Sequence, residues 1–215
     1  MPTTETYRAL DICQDALRKI GVVAGDEEAT ADEIKSSSRA LGRMLKAWQA
    51  RNYNLWTVSS ESIPATTAIE YSFASGRPLD LTSVRVKRNG VETPMMRMTR
   101  EEYDSLPIKS TTGIPTQFYF NRQRDTATLF VWPVFAAVTA ETIEITYIRE
   151  IEDVDITQQI DIPSEWYDAA IYGLGARLLD DYGINAPQIV ARAEEELRLA
   201  LAFDVEESVY FVGCG

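Results

Sequence analysis

The chain has 215 residues, with 21 Lys and Arg against 33 Asp and Glu, so its formal net charge is −12. It contains no histidine and two cysteines, Cys13 and Cys214. This composition excludes histidine-based catalytic triads, histidine metal sites and four-cysteine zinc sites. A hydrophobic content of 45% is ordinary for a globular protein, and the excess of acid argues against strong binding to nucleic-acid phosphate.

The start of the chain is polar, so we expect no signal peptide. No apolar run approaches the roughly 20 residues that a membrane-spanning helix needs. We therefore expect a protein that is made in a cytoplasm and does not enter a membrane.

Two amphipathic helices are predicted at the start of the chain. Apolar residues recur at three- and four-residue steps between Thr6 and Ile20, which is typical of one helix face. Thr30 and Glu33 form a capping-box pattern that begins a second helix, which we expect to end near Asn52. Two such helices joined by a short loop form an αα-hairpin whose apolar faces need further partners.

After Leu55 the periodicity changes to an alternation of apolar and polar residues, which indicates β-strands. Asn89-Gly90 predicts a two-residue hairpin turn, because both residues tolerate a positive φ. Thr99 and Glu102 form a second capping box and predict a short helix. Later segments read as further strands, namely 117–121, 126–132 and 142–149. The middle of the chain is therefore predicted to be antiparallel β-structure with one small helix.

Helical periodicity returns at Pro163 and predicts a helix that runs to Tyr182. A fourth helix follows, capped by Asn185. The last stretch, residues 204–215, is predicted to be extended, because it carries a short apolar run between acidic and glycine-rich flanks.

These elements predict an α+β fold: a four-helix bundle formed by both chain ends, an inserted antiparallel β domain and an extended C-terminal tail. The expected helical bundle comprises residues 1–56 and 157–204. The expected β domain comprises residues 57–156, and the tail comprises residues 205–215.

The negative charge is concentrated in the last third of the chain. Residues 1–53 hold 8 acids and 8 bases, residues 54–150 hold 11 and 10, and residues 151–215 hold 14 acids and 3 bases. The last third therefore carries a net charge of −11. Such charge runs are usually solvated helix faces. The alternative is a surface that repels phosphate.

Adjacent carboxylates are plentiful and include Glu27-Glu28, Glu101-Glu102, Asp180-Asp181 and Glu206-Glu207. Glycosidase or metal chemistry requires carboxylates from separate elements that converge in a cleft, whereas neighbours on a helix point about 100° apart. No phosphate-binding glycine motif is present, and Gly173-Leu174-Gly175 is predicted to permit close helix packing. We therefore predict no catalytic residue, no cofactor and no metal ligand.

Two surface segments remain after these assignments. Arg85, Lys87 and Arg88 lie beside the predicted hairpin turn, which suits a solvated edge or the acidic patch of a partner. The apolar run 209–212 either folds back as an edge strand or reaches a neighbouring molecule.

Four stretches of the chain together resemble one family, the head-to-tail connector adaptors of tailed bacteriophages, also called tail tubular or packaged-DNA-stabilisation proteins. The stretches cover the end of the first helix (16–21), the second helix and its exit (41–48 and 55–57), four motifs of the inserted β segment (85–90, 102–104, 113–115 and 129–133), and the return into the bundle (163–183). They span most of the chain. The resemblance ends at the tail, which varies among adaptors.

The resemblance implies a non-enzymatic virion protein of the head–tail neck, made in the cytoplasm of the host bacterium. Such adaptors form a ring, commonly twelve-fold, on the portal after genome packaging. They extend the DNA channel, enclose DNA without sequence-specific binding, and receive the tail or nozzle protein. A ring requires head-to-tail interfaces between different faces of the same subunit.

Two sets of residues follow from this reading. The first set is expected to contact the portal or a neighbouring copy: Val209, Tyr210, Phe211 and Val212. The second set is expected to face the channel, where it would repel phosphate and let DNA slide: Glu194, Glu195, Glu206 and Glu207.

Two other functions stay open at this point. One is a tail-associated enzyme that acts on carbohydrate through two carboxylates about 5–10 Å apart in a cleft. The other is a carbohydrate- or protein-binding module built on the β domain, which would bind its ligand when residues 57–156 are expressed alone.

Overall fold

The computed structural model describes residues 7–25, 27–51, 53, 55–74, 76–138 and 140–203. Within these ranges it shows an α+β fold, as predicted. The helices are α1 (Ala9–Lys19), α2 (Ala31–Ala50), α3 (Arg100–Asp104), α4 (Tyr167–Tyr182) and α5 (Pro187–Phe203), with short 3-10 helices at Leu55–Thr57 and Ser164–Trp166. The strands are β1 (Val58–Pro64), β2 (Glu70–Ser72), β3 (Asp80–Arg88), β4 (Val91–Pro94), β5 (Met96–Met98), β6 (Gln117–Arg122), β7 (Ala127–Trp132) and β8 (Thr142–Ile148).

The predicted capping boxes begin the two helices for which they were expected. At α2, the backbone N–H of Glu33 donates to Thr30 Oγ1 over 3.4 Å, and the backbone N–H of Thr30 donates to Glu33 Oε2 over 2.8 Å. At α3, the backbone N–H of Thr99 donates to Glu102 Oε2 over 2.7 Å. These bonds satisfy backbone donors that have no partner inside the helix.

Helix α4 lies between the other long helices and packs on α1, α2 and α5. A Cβ at Gly173 would lie 3.2 Å from Met44 Sδ of α2, whereas a Cβ at Gly175 would lie 3.3 Å from Ile20 and 3.6 Å from Ile189 of α5. Residues two apart on a helix point to opposite sides. The two glycines therefore let α4 approach α2 on one side and α5 on the other, as the close-packing prediction requires.

The helices share one hydrophobic core around Trp166, which is 1% exposed. Its ring lies 5.3 Å from that of Trp48 and 4.9 Å from that of Trp56. Ile151 and Ile160, which precede α4, are also buried in this core. Aromatic rings at such separations add stability beyond the area that they bury.

The β-strands form two four-stranded sheets, with strand orders β1-β8-β3-β4 and β2-β7-β6-β5. Both sheets contribute to one core, in which Val84 and Ile143 come from the first sheet and Phe118 and Leu129 from the second. Side chains alternate between buried and partly exposed along β7 and β8, as half-buried strands require.

The prediction of a purely antiparallel β domain is wrong for one pair of strands, because β5 and β6 run parallel. The chain changes sheet at Met95, whose backbone N–H donates to Val84 O, while that of Met96 donates to Thr116 O. Helix α3 and the loop after it then carry the chain back to the end of the sheet where β5 began. A parallel pair needs such a connection, whereas a tight hairpin cannot supply it.

The predicted hairpin at Asn89-Gly90 joins β3 to β4. The two residues have φ values of 51° and 80°, and Arg88 pairs with Val91 across the turn. This is the two-residue turn that the sequence predicts.

The chain divides into two compact units, with the divisions between Trp56 and Thr57 and between Glu150 and Ile151. The two ends of the second unit are adjacent, because the backbone N–H of Arg149 donates to Thr57 O over 3.0 Å. Residues 151–156, which the sequence prediction assigns to the β domain, cluster with the helical unit. No helix in the described ranges has the length and apolarity to cross a membrane.

Candidate interaction surfaces

Two of the four predicted channel acids, Glu194 and Glu195, lie on the exposed side of α5. The other two, Glu206 and Glu207, lie outside the described residues, and so does the predicted tail contact at 209–212. The arrangement of these residues around a channel therefore stays a prediction.

Arg192 neutralises part of the negative charge on this exposed side of α5. Its guanidinium lies 2.8 Å from a carboxylate oxygen of Glu195 and 2.6 Å from one of Glu196, and it sits over the ring of Tyr172. The hydrogen bond to Glu195, followed by the charge of Glu196, raises the pKa of Arg192 above its usual value. Glu194 is exposed and makes no ion pair within the described part of the chain. Glu194 is therefore the acid of this group that is free to act on a partner.

A groove of about 530 Å³ lies where α4 ends and α5 begins. Asp180 and Glu194 line it together with Ile184 and Val190, and Val190 is 41% exposed. A groove lined by both apolar and acidic side chains suits contact with another protein rather than with nucleic acid.

A second charged surface is formed by the guanidinium groups of Arg43 and Arg51, which follow the exposed side of α2, and Arg177 of α4. We refer to these three residues as the arginine cluster. Burial, followed by the positive charges of Arg51 and Arg43, lowers the pKa of Arg177. The three side chains are exposed, and none of them makes a hydrogen bond or ion pair to another described residue. Arg43 lines a groove with Glu152 and Asp153 but forms no ion pair with either. The like charges of the three arginines repel one another, so this surface is suited to an acidic partner.

The sequence predictions do not include the arginine cluster, although part of its signal is present in the sequence. Residues 34–51 hold five bases and no acid, whereas residues 26–33 hold five acids and no base. The two runs cancel in a sum over residues 1–53. Counting charges over shorter windows of the sequence would have separated the two runs. The presence of Arg177 in the cluster could not be found in this way, because it depends on the packing of α4 on α2.

Lys46 lies beside the arginine cluster, and its ammonium group interacts with other residues of the same chain. Its ammonium donates to Ile151 O over 2.8 Å and lies 3.2 Å from Asp153. The groove at this place has a volume of about 510 Å³ and is lined by Arg39 and Val154 as well. The interaction of Lys46 with the chain after residue 150 holds that segment on the helical unit.

The basic residues that the sequence singles out on β3 are compensated within the chain. Arg85 and Lys87 lie 3.3 and 3.9 Å from Glu92 of β4, and Arg88 lies 2.8 Å from Glu141. One expectation from the sequence was that the acidic patch of a partner would pair with these basic residues. Glu92 and Glu141 of the same chain pair with them instead. Exposed pairs of this kind each contribute about 0–1 kcal/mol to stability.

The β unit presents apolar side chains at one end of its second sheet. Met96, Ile108 and Ile114 are 71%, 61% and 49% exposed. They lie on neighbouring segments, because Met96 N–H donates to Thr116 O and Trp132 Nε1–H donates to Ile108 O. We refer to Met96, Ile108 and Ile114 as the apolar patch. Exposed apolar groups that lie together mark surfaces for protein contact.

The adjacent carboxylates of the sequence do not form a converging pair on α3. Glu102 bonds to Thr99 at the start of the helix, and this bond lowers the pKa of Glu102. Its neighbour Glu101 follows the other side of the same short helix. Among the described residues, no group of three or more Cys, Asp or Glu is placed to hold a metal ion.

A protein-family model described as "SU10 adaptor protein" matches residues 7–208, which is most of the chain. The chain belongs to the SU10 adaptor protein family. This membership confirms the resemblance to head-to-tail connector adaptors.

Among solved structures, one that is similar to the SU10 adaptor is described as "Neck of empty GTA particle computed with C6 symmetry". It is 12% identical, with 82% of this chain and 83% of that chain covered and a TM-score of 0.30. A likeness at this TM-score carries no argument about function. No curated protein matches the chain.

The family description names an adaptor, which is a structural connector role rather than a catalytic activity. For such a protein the working parts are surfaces. In this chain, the acidic side of α5, the arginine cluster and the apolar patch are among the surfaces available for partners.

Proposed function

We propose that this SU10 adaptor is a ring-forming virion protein that joins the portal of a bacteriophage to its tail and extends the DNA channel after packaging. The observation that carries the proposal is the family match over residues 7–208. Charged surfaces of opposite sign on the helical unit support it, because a closed ring requires different and complementary faces on each subunit. No catalytic step belongs to this role.

In this proposal α1, α2, α4 and α5 form a four-helix bundle made from both chain ends, and the β unit is a domain inserted into it. The shared core around Trp166 supports the bundle. The adjacent ends of the β unit support the insertion, because a domain whose ends meet can leave and re-enter a host fold without distorting it.

The proposed partners are the portal protein, a tail or nozzle protein, and further copies of the chain in a ring, for which twelve copies are the expectation. The tail residues 209–212 would contact the portal or a neighbouring copy. The apolar patch of the β unit would contact the tail or nozzle protein. The protein would be made in the host cytoplasm and end in the neck of the virion.

We assign Glu194, Glu195, Glu206 and Glu207 to the channel wall. The exposure of Glu194 and Glu195 on α5 supports this assignment. A ring multiplies their charge, and the resulting field would repel phosphate and let DNA pass without being gripped. A structure of the assembled ring with a neutral or basic channel and these acids on the outside would overturn the assignment.

A phage that lacks the gene for this chain tests the proposed function. We expect heads that carry a portal and package DNA, but that lose the DNA on purification and bear no tails. The intact chain supplied in trans should restore tailed, infectious particles. Full heads with attached tails in the absence of the chain would contradict the proposal.

A further inference from the structure

The helical unit carries two charged surfaces that cannot neutralise each other. The first is the arginine cluster, in which Arg51 lies at the end of α2 and Arg177 on α4. The second is the exposed acidic loop before α2 and the first turn of α2, which we define as Glu27, Glu28 and Asp32. At 1.5 Å per residue along α2, Asp32 lies roughly 16 Å from Arg43 and roughly 28 Å from Arg51, so the acidic residues lie at the start of α2 and the arginines on its second half and on α4.

Neither surface finds a counter-ion inside the described part of the chain. The arginine cluster makes no ion pair there, and Glu27, Glu28 and Asp32 make none either. The basic neighbour Lys46 is held by Asp153, and the acidic neighbour Glu33 is held by Thr30. The unpaired charges therefore include three arginines, on the second half of α2, at its C-terminal end and on α4, and three carboxylates at and before the start of α2.

We propose that the arginine cluster of one subunit receives the acidic loop of a second copy of this chain. Guanidinium groups match carboxylates in charge and in planar geometry. The contact joins two different surfaces of the same chain, so it is of the head-to-tail kind that builds a closed ring. It rests on the proposed ring function and names the residues that hold neighbouring subunits together.

A second copy suits the arginine cluster better than DNA does. The chain carries a net charge of −12, and Glu152 and Asp153 line the groove next to the cluster. A phosphate backbone would meet these carboxylates together with the three arginines. A loop on a neighbouring subunit, in contrast, can place its carboxylates on the arginines alone.

Charge reversal in two separate chains tests the proposal. The first variant, R43E/R177E, makes the cluster acidic and leaves the loop acidic. The second variant, E27K/E28K, makes the loop basic and leaves the cluster basic. Each variant alone should bind to purified portal rings with at least about tenfold fewer subunits than the unchanged chain at the same concentration, which corresponds to about 1.4 kcal/mol.

An equal mixture of the two variants should bind like the unchanged chain, because each reversed surface then meets its complement on the other variant. The number of subunits on each portal ring is measured by native mass spectrometry and electron microscopy. R100E/R124E in the β unit is the charge-matched control and should bind normally. Circular dichroism establishes that each variant is folded, and R43Q/R177Q, which removes charge without reversing it, should weaken binding if the reversed variant does not fold.

Rings that form normally from either variant alone would overturn the proposal and leave the adaptor function standing. Failure of the mixture to recover binding would also overturn it. If R43E/R177E forms complete rings that lose only their binding to duplex DNA, the cluster faces nucleic acid and the proposal is wrong. If the unchanged chain itself does not bind portal rings, the proposed function fails as well.

Discussion

Cys13 has no exposed surface in the described structure. It is fully buried in the helical core, and this burial raises the pKa of its thiol to about 11, in spite of the opposing effect of the neighbouring Ser37 hydroxyl. Burial favours the neutral thiol because a thiolate loses its hydration there. The position behaves as a small apolar residue, as its place on the predicted stripe of α1 indicates.

We predict that Cys13 in a Cys214→Ser chain is inert to a thiol-specific reagent at pH 8 until the chain unfolds. Raising the pKa from 9.0 to about 11 lowers the thiolate fraction about a hundredfold, and the thiolate is the reactive form. A folded-state pKa above the unfolded value also means that the free energy of unfolding falls as the pH rises from about 9 to about 11. Stopped-flow absorbance measures the reaction. Rapid labelling of the native chain would contradict the burial.

At the scale of single elements, the start of α2 depends on the reciprocal bonds between Thr30 and Glu33. The hydrogen bonds from the hydroxyl and backbone N–H of Thr30 lower the pKa of the Glu33 carboxyl below its ordinary value. A carboxyl with a depressed folded-state pKa stabilises the fold above its unfolded pKa and loses this contribution as the pH falls.

We predict that Thr30→Ala lowers the free energy of unfolding by about 1 kcal/mol, the usual effect of losing an N-cap side chain. The same change should raise the pKa of Glu33 toward its ordinary value, as followed by NMR titration of its side-chain carbon. Ser36→Ala, at an exposed position on the same helix, is the control: it should leave the Glu33 titration unchanged and should not lower the free energy of unfolding, because Ala is a better helix former than Ser. An unchanged Glu33 titration in the Thr30→Ala chain would show that the Thr30 hydroxyl does not bond to Glu33 in solution.

Elements that depend only on residues close together in the chain could be predicted from the sequence. The caps at Thr30 and Thr99 and the turn at Asn89-Gly90 depend on residues one to three apart, and all three are found where the pattern places them. The parallel pairing of β5 with β6 could not be predicted in this way. Its direction depends on where α3 and the following loop return the chain, which no alternation pattern encodes.

The candidate surfaces show the same division. The exposure of Glu194 and Glu195 follows from the helical period of α5, so it could be read from the sequence. The arginine cluster could not, because Arg177 is 126 positions after Arg51 in the chain and joins it only through the packing of α4 on α2. The compensation of the β3 basic residues also depends on pairing with β4, and the position of Glu141 depends on the sheet.

At the scale of the whole molecule, the division into two units has a consequence for folding. The β unit has its own hydrophobic core, and its ends meet at Thr57 and Arg149. We predict that residues 57–150 expressed alone fold cooperatively, as shown by dispersed amide signals in NMR and a single thermal transition. Residues 57–156 should be no more stable, since Ile151 belongs to the helical core. A fragment 57–150 without dispersed signals would contradict the independence of this unit.

At this scale, the distribution of charge over the molecule bears on association between copies and on contact with DNA. The sum of −12 combines a helical unit with separated acidic and basic ends on α2 and an acidic final third. Separated charges of opposite sign favour association between copies, whereas a concentration of one sign around a channel would repel DNA. The proposed ring would use both properties: the arginine cluster and the acidic loop lie on and beside α2 and α4, whereas Glu194 and Glu195 lie on α5.

Electron microscopy of the purified chain mixed with portal rings of the same phage tests the central claim most directly. We predict a second ring of density coaxial with the portal, whose β units project away from it and whose opening continues the portal channel. Portal rings that stay bare in the presence of excess folded chain, or that bind it without a common axis, would contradict the account.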